Sequence, residues 1–272
     1  IKERKSIMFF PMFIIQGELM KSSLTLKITN AIFLFATIII NFLANYLPFN
    51  DISTGEVSAA YENPFTPAGF TFSIWGVIYF LLFIFIIYQF KAEKGQEKNF
   101  STGPYFIIAS TANCSWLYLW HQQLFLAAMV VILILALSLF QIFKKVEKIE
   151  RFSTIDYISL KLPFSIYTAW LSVASLANFM VLLVYFKNDW PKNFLTIAAA
   201  FCILTALFIA IKILDIYQNI PFALVIIWAL SGIISANTGG QDQNMLIIIT
   251  ASISIIIIIF KTAATLLAKN KN

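Results

Sequence analysis

The sequence predicts an all-α integral membrane protein with about eight transmembrane helices and both termini on the cytoplasmic side. Three observations predict it. Only 12% of the 272 residues are charged and the mean hydropathy is +0.84, whereas a soluble domain carries about 25% charged residues. The apolar residues form blocks of about 20, the length an α-helix needs to cross the hydrocarbon core. The basic residues are also strongly one-sided. Of the 19 Lys and Arg, three precede residue 20 and two, Lys187 and Lys192, fall in an outside loop; the other fourteen fall on the inside if the N-terminus is cytoplasmic. That bias is the positive-inside pattern, so the net charge of +6 reads as topology and not as nucleic-acid binding.

The spans run about Leu26–Leu47, Phe70–Phe90, Tyr105–Trp120, Leu124–Phe143, Pro163–Phe186, Phe194–Ile213, Ile220–Ala236 and Met245–Leu267. His121, Gln122 and Gln123 alone separate the third from the fourth, which makes a tight hairpin. The chain opens on Ile1, and Met20 begins a short basic stretch followed by a span. Residues 1–19 read as a leader or non-native extension, with an interfacial segment as the alternative. Three regions follow: 1–19, a five-helix bundle over 20–190, and three further helices over 191–272.

The residue types exclude much chemistry. No acid or base sits at the middle of a span, where ion and proton pathways place them. That argues against a carboxylate relay and against most membrane hydrolases, so the sequence leans away from an enzyme. No phosphate-cradling glycine loop, HExxH or GxSxG occurs. Cys114 and Cys202 lie far apart inside apolar runs and read as small core residues. His121, at the rim of the hairpin, reads as a solvated loop residue.

What remains is aromatic and amide chemistry at helical spacing. In the stretch "NPFTPAGFTFSIWGVIYF", Pro67 suits a helix start and Gly69 and Gly76 permit close approach. Phe72, Trp75 and Tyr79 share one face of the helix that follows. Asn113, Trp116 and Trp120 share a face of the third span; Tyr167, Trp170, Ala174 and Asn178 form a narrow stripe on the fifth. Aromatics near span ends also serve as interface belts, and small or amide residues as helix–helix contacts. An aromatic stripe with one amide per helix equally suits a pocket for a flat lipophilic ligand.

Three of these patterns resemble the TspO, or tryptophan-rich sensory protein, family. "PAGFTFSIWGVIY" is similar to the family motif at the start of its second helix and matches it at Pro67, Gly69, Phe72, Trp75 and Tyr79. "NCSW" resembles the third-helix Asn-x-x-Trp at Asn113 and Trp116. "YTAWLSVASLAN" resembles the fifth-helix pattern at Tyr167, Trp170, Ala174 and Asn178. Two positions depart: Ala68 replaces the second proline of the motif, and Ile166 replaces a proline before Tyr167. The resemblance covers about Leu26 to Phe186.

The resemblance implies a five-helix bundle holding a lipophilic ligand, typically a porphyrin or haem-like tetrapyrrole, with no required cofactor and no metal. The Pro48–Gly69 connection, with Asp51, Glu56 and Glu62, would close over it. The implied function is a binding or sensing protein in the cell membrane. A carrier, a tetrapyrrole-modifying enzyme and a ligand-free structural subunit are the alternatives. Expected partners are membrane lipid, a lipophilic small molecule and, through the small face of span seven (Ser231, Gly232, Ser235, Ala236), a second copy. Three roles stay open for spans six to eight: enlarging the pocket, forming a dimer surface, or buttressing the bundle.

Overall fold

The computed structural model describes residues 24–46, 52–91, 101–186, 190–239 and 243–269. Residues 1–19, and Asp51 in the first connection, lie outside them. Every regular element among the described residues is helical. The long helices are α1 (Leu24–Tyr46), α3 (Ile74–Lys91), α4 (Tyr105–His121), α5 (Phe125–Glu147), α7 (Leu162–Phe186), α8 (Lys192–Tyr217), α9 (Ile220–Thr238) and α10 (Met245–Lys269). Short helices α2 (Thr54–Ala59) and α6 (Thr154–Asp156) stand in connections. Seven helical segments are long and apolar enough to cross a membrane. The eighth expected span, α4, has only 17 residues, about 26 Å at 1.5 Å per residue. The protein is therefore a multi-span helical membrane protein.

Packing follows helical spacing. Along α1, Leu26, Asn30, Leu34, Thr37 and Ala44 are buried, while Ile28, Ile32, Phe35, Ile39 and Phe42 face outward. Both faces are largely apolar because lipid, not water, lies outside. Helix α7 is central, meeting α3, α5, α8 and α9, and its Phe164, Ala169 and Met180 are completely buried.

The α4–α5 hairpin turns at Gln122–Leu124, where Gln123 adopts φ 56° and the N–H of Leu124 reaches back to the Leu119 carbonyl at 2.9 Å. His121 is a correction to the sequence reading. It lies in the last turn of α4, 1% exposed, with Nδ1 2.8 Å from the Leu117 carbonyl. A hairpin this tight folds the rim inward.

At the other end, α7 begins through one π-helical turn, Tyr157–Lys161, in which the N–H of Leu162 reaches the Tyr157 carbonyl. Pro163 has no N–H for a regular turn and its ring would crowd the preceding one, so the widened turn accommodates it. Beside it lies a buried ion pair, Lys161 Nζ to Glu147 Oε2 at 2.9 Å. Asn219 Nδ2 donates to the other Glu147 oxygen and to Ser165 Oγ, both at 2.6 Å, while its Oδ1 accepts from the Phe222 N–H and caps α9. This cluster ties α5, α7 and α9 together. Helices α8, α9 and α10 pack on one another, and Asp215 pairs with Lys261 across α8 and α10.

Candidate functional site

Helix α2 forms because Ser53 and Glu56 make a reciprocal capping box: Ser53 Oγ accepts from the Glu56 N–H, and the Ser53 N–H donates to Glu56 Oε2 at 2.6 Å. Those bonds hold the exposed Glu56 carboxyl below its ordinary range. Val57, fully buried, seats α2 on the bundle. Trp120 Nε1 donates to the Thr54 carbonyl at 3.2 Å and fixes the helix to α4. Farther along, the Tyr61 hydroxyl donates to Gln123 at 2.8 Å, so the connection is also fastened to the hairpin.

Beneath α2 is a cavity of about 880 Å³, bounded by α1, α2, the start of α3, and α4. That volume lies within the range of small-molecule sites. Pro67, Gly69, Phe72, Trp75, Tyr79 and Trp116 line it. A smaller chamber of about 50 Å³ shares Phe72, Trp75 and Trp116 with it and reaches Trp170, Ala174 and Asn178 on α7. Nine of the eleven residues singled out in the sequence thus meet around one hollow. Where a Cβ would stand on Gly55, Gly69 or Gly76 there is open space, so these glycines leave room in the cavity wall.

The aromatic groups hold one another in fixed poses. Trp75 stacks on Tyr79, with centroids 5.5 Å apart. It meets Tyr167 and Trp170 edge to face at 5.8 and 6.3 Å. Phe72 meets Trp170 edge to face at 6.0 Å. Trp116 stacks on Trp120 and donates its N–H to Asn178 Oδ1 at 2.9 Å; Asn178 Nδ2 in turn donates to the Ala174 carbonyl.

Asn113 and Tyr167 do not line either chamber. They stand one layer behind, where Asn41 Nδ2 donates to Asn113 Oδ1 at 2.8 Å and Asn113 Nδ2 donates to the Tyr167 hydroxyl at 2.9 Å. This chain of amides joins α1, α4 and α7 and backs the Trp75 ring. Asn41 itself lines the large chamber and was missed. Its signal was legible as Asn30, Thr37 and Asn41, three polar residues at helical spacing in an otherwise apolar span.

The larger omission is α9. It packs against the segment that begins α3, a 3₁₀ turn at Gly69–Ser73. The Ala68 N–H donates to the Gly232 carbonyl at 3.0 Å, Trp228 Nε1 to the Thr71 carbonyl at 3.0 Å, and Asn237 Nδ2 to the Pro64 carbonyl at 3.0 Å. Phe70 meets Trp228 edge to face at 5.4 Å. Gly232 lies so close to Thr71 that a Cβ there would fall 2.0 Å from Thr71 Oγ1. Of the roles left open for the last three helices, the contacts fit buttressing: α9 braces the cavity wall from outside without entering the cavity.

Chemically, the site offers broad aromatic faces, a few neutral polar groups, and one carboxylate on the covering helix. Among the described residues no cluster of His, Cys, Asp or Glu could hold a metal ion. No curated protein and no solved structure is significantly similar to the chain. A family model described as TSPO-like protein matches residues 27–264. The match runs past Phe186, where the motif resemblance ended, and takes in α8, α9 and most of α10. With nearly its whole length matched, the chain belongs to the TSPO-like protein family.

Proposed function

We propose that the protein is a membrane-embedded binding protein, acting as a sensor, for a lipophilic planar ligand of tetrapyrrole-like shape. The observation that carries this reading is the hollow under α2, where Trp75, Trp116 and Trp170 converge from three helices. Flat apolar rings gain from both stacked and edge-on aromatic contacts. A mostly apolar cavity with a few placed polar groups suits such a ligand. We place the protein in the plasma membrane with both termini cytoplasmic, because the basic residues are concentrated on one side. In this orientation α2 lies on the outer side.

Purification in mild detergent, followed by absorbance spectroscopy and mass spectrometry of co-purifying small molecules, tests the reading. A ligand with a conjugated ring that is retained by the wild type and depleted in Trp75→Ala is the expected result. Equal retention by both proteins would refute the assignment of this cavity. Ligand flux in proteoliposomes would move the function from sensing to carriage through the same cavity.

A further inference from the structure

The end of the bundle opposite the cavity holds the one π-helical turn among the described residues, Tyr157–Lys161. Isolated π turns are rare and concentrate at functional sites. This one is clamped on both sides. Before it, Asp156 Oδ1 accepts from the Tyr88 hydroxyl of α3 at 2.6 Å, and Oδ2 accepts from the Ser153 N–H and Oγ. At its far end, Lys161 is held by Glu147 of α5.

A second arrangement is open to the same residues. Drawing the extra residue out of the turn would rotate Thr154–Asp156 by about 100° around the helix axis and carry Asp156 away from Tyr88. The resulting regular helix would be imperfect, because Pro163 would leave the Ser159 carbonyl without its donor and crowd it. Neither form is an unbroken α-helix, so the side-chain clamp weighs in the choice between them.

The helices that meet at the clamp also wall the cavity. Phe72 and Trp75 meet Trp170 of α7 beside the smaller chamber. Phe85 of α3 meets Phe164 of α7 edge to face at 5.0 Å farther along, and both rings are buried. Tyr88 and Asp156 complete the series at the π turn. Close-packed side chains of this kind transmit displacement and do not absorb it.

We propose that the π turn is the output element of the sensor. A planar ligand held between α3 and α7 favours the Tyr88–Asp156 arrangement, and its presence is thereby reported on the connection between α5 and α7, which is cytoplasmic in the orientation given above. A ligand shifts such an equilibrium only by binding the two states differently. That condition is met because the ligand's two walls are the two helices whose relative position the clamp sets. This rests on the binding reading above.

Hydrogen–deuterium exchange of the full chain in nanodiscs, with and without saturating protoporphyrin dimethyl ester, tests it. Exchange over residues 157–162 is expected to slow by about five-fold or more on binding, with no change over residues 261–268 of α10. Tyr88→Phe keeps the ring and removes the hydroxyl. It should abolish the slowing while tryptophan quenching by the ester still saturates. Unchanged exchange over residues 157–162 at saturation, equal slowing over residues 261–268, or slowing retained in Tyr88→Phe would overturn the coupling and leave the binding reading intact. No saturable quenching in the wild type would refute the binding reading, and the coupling would fall with it.

Discussion

Replacement of Gly232 by alanine should weaken ligand binding although Gly232 touches no part of the cavity. The new Cβ would lie 2.0 Å from Thr71 Oγ1, 2.9 Å from its Cγ2 and 3.0 Å from its Cβ. Ordinary contact between such atoms is about 3.5–4.0 Å, so rotation of the Thr71 side chain cannot clear all three. Thr71 is completely buried, which leaves movement of the 3₁₀ turn away from α9 as the relief. That movement strains the Ala68–Gly232 hydrogen bond and shifts Phe72, the next residue, in the cavity wall. Overpacking of this kind costs about 1–3 kcal/mol. If half of that falls on the bound geometry, affinity drops by roughly two- to ten-fold, and by more if the whole of it does. Fluorescence titration in nanodiscs measures it, with thermal unfolding in parallel. Adding Thr71→Ala removes Oγ1 and Cγ2 and leaves only the 3.0 Å contact, so the double variant should recover to within about three-fold of wild type. Wild-type affinity in Gly232→Ala, or no recovery in the double variant, would refute the bracing role of α9.

Three more expectations share this framework. Trp75→Ala removes the stack on Tyr79 and the edge contact with Trp170, and should weaken planar-ligand binding by about 1–3 kcal/mol; a quenching titration with Trp190 retained as an internal control checks it. Glu147→Ala leaves Lys161 buried without its carboxylate and removes an acceptor from Asn219, and should lower stability by about 3–5 kcal/mol, read as detergent-denaturation midpoints against Lys148→Ala. A chain ending after Lys192 should insert, because each helix satisfies its own backbone, but lose most ligand affinity, because Trp228, Gly232 and Asn237 no longer hold residues 64–71; size-exclusion chromatography with ligand titration distinguishes loss of binding from loss of folding.

The spans were legible because hydropathy is a local property and lipid demands long apolar helices. The stripes Phe72–Trp75–Tyr79 and Trp170–Ala174–Asn178 were legible because helical spacing alone puts their members on one face. That these faces meet around one hollow is a property of how α3, α4 and α7 pack, which spacing does not encode. Asn113 and Tyr167 show the limit: they share the faces of lining residues yet sit one layer back, because Asn41 on α1 draws Asn113 into a hydrogen-bonded chain. His121 was misread because its neighbours Gln122 and Gln123 are polar, while its own place in the last turn of α4 buries it. The Gly232–Thr71 contact spans 161 positions of sequence. Nothing local to either residue announces it, although the small-residue face around Gly232 marked a place of close approach.

The central claim is that the hollow beneath α2 receives one planar ligand among Trp75, Trp116 and Trp170. Tryptophan quenching by protoporphyrin dimethyl ester, titrated into the full chain in nanodiscs, tests it most directly. The account predicts saturation at one ligand per chain, with weakened affinity in Trp75→Ala and in Asn178→Ala, which leaves the Trp116 N–H unpaired. Quenching that rises linearly without saturation, or that saturates identically in wild type and both variants, would contradict it.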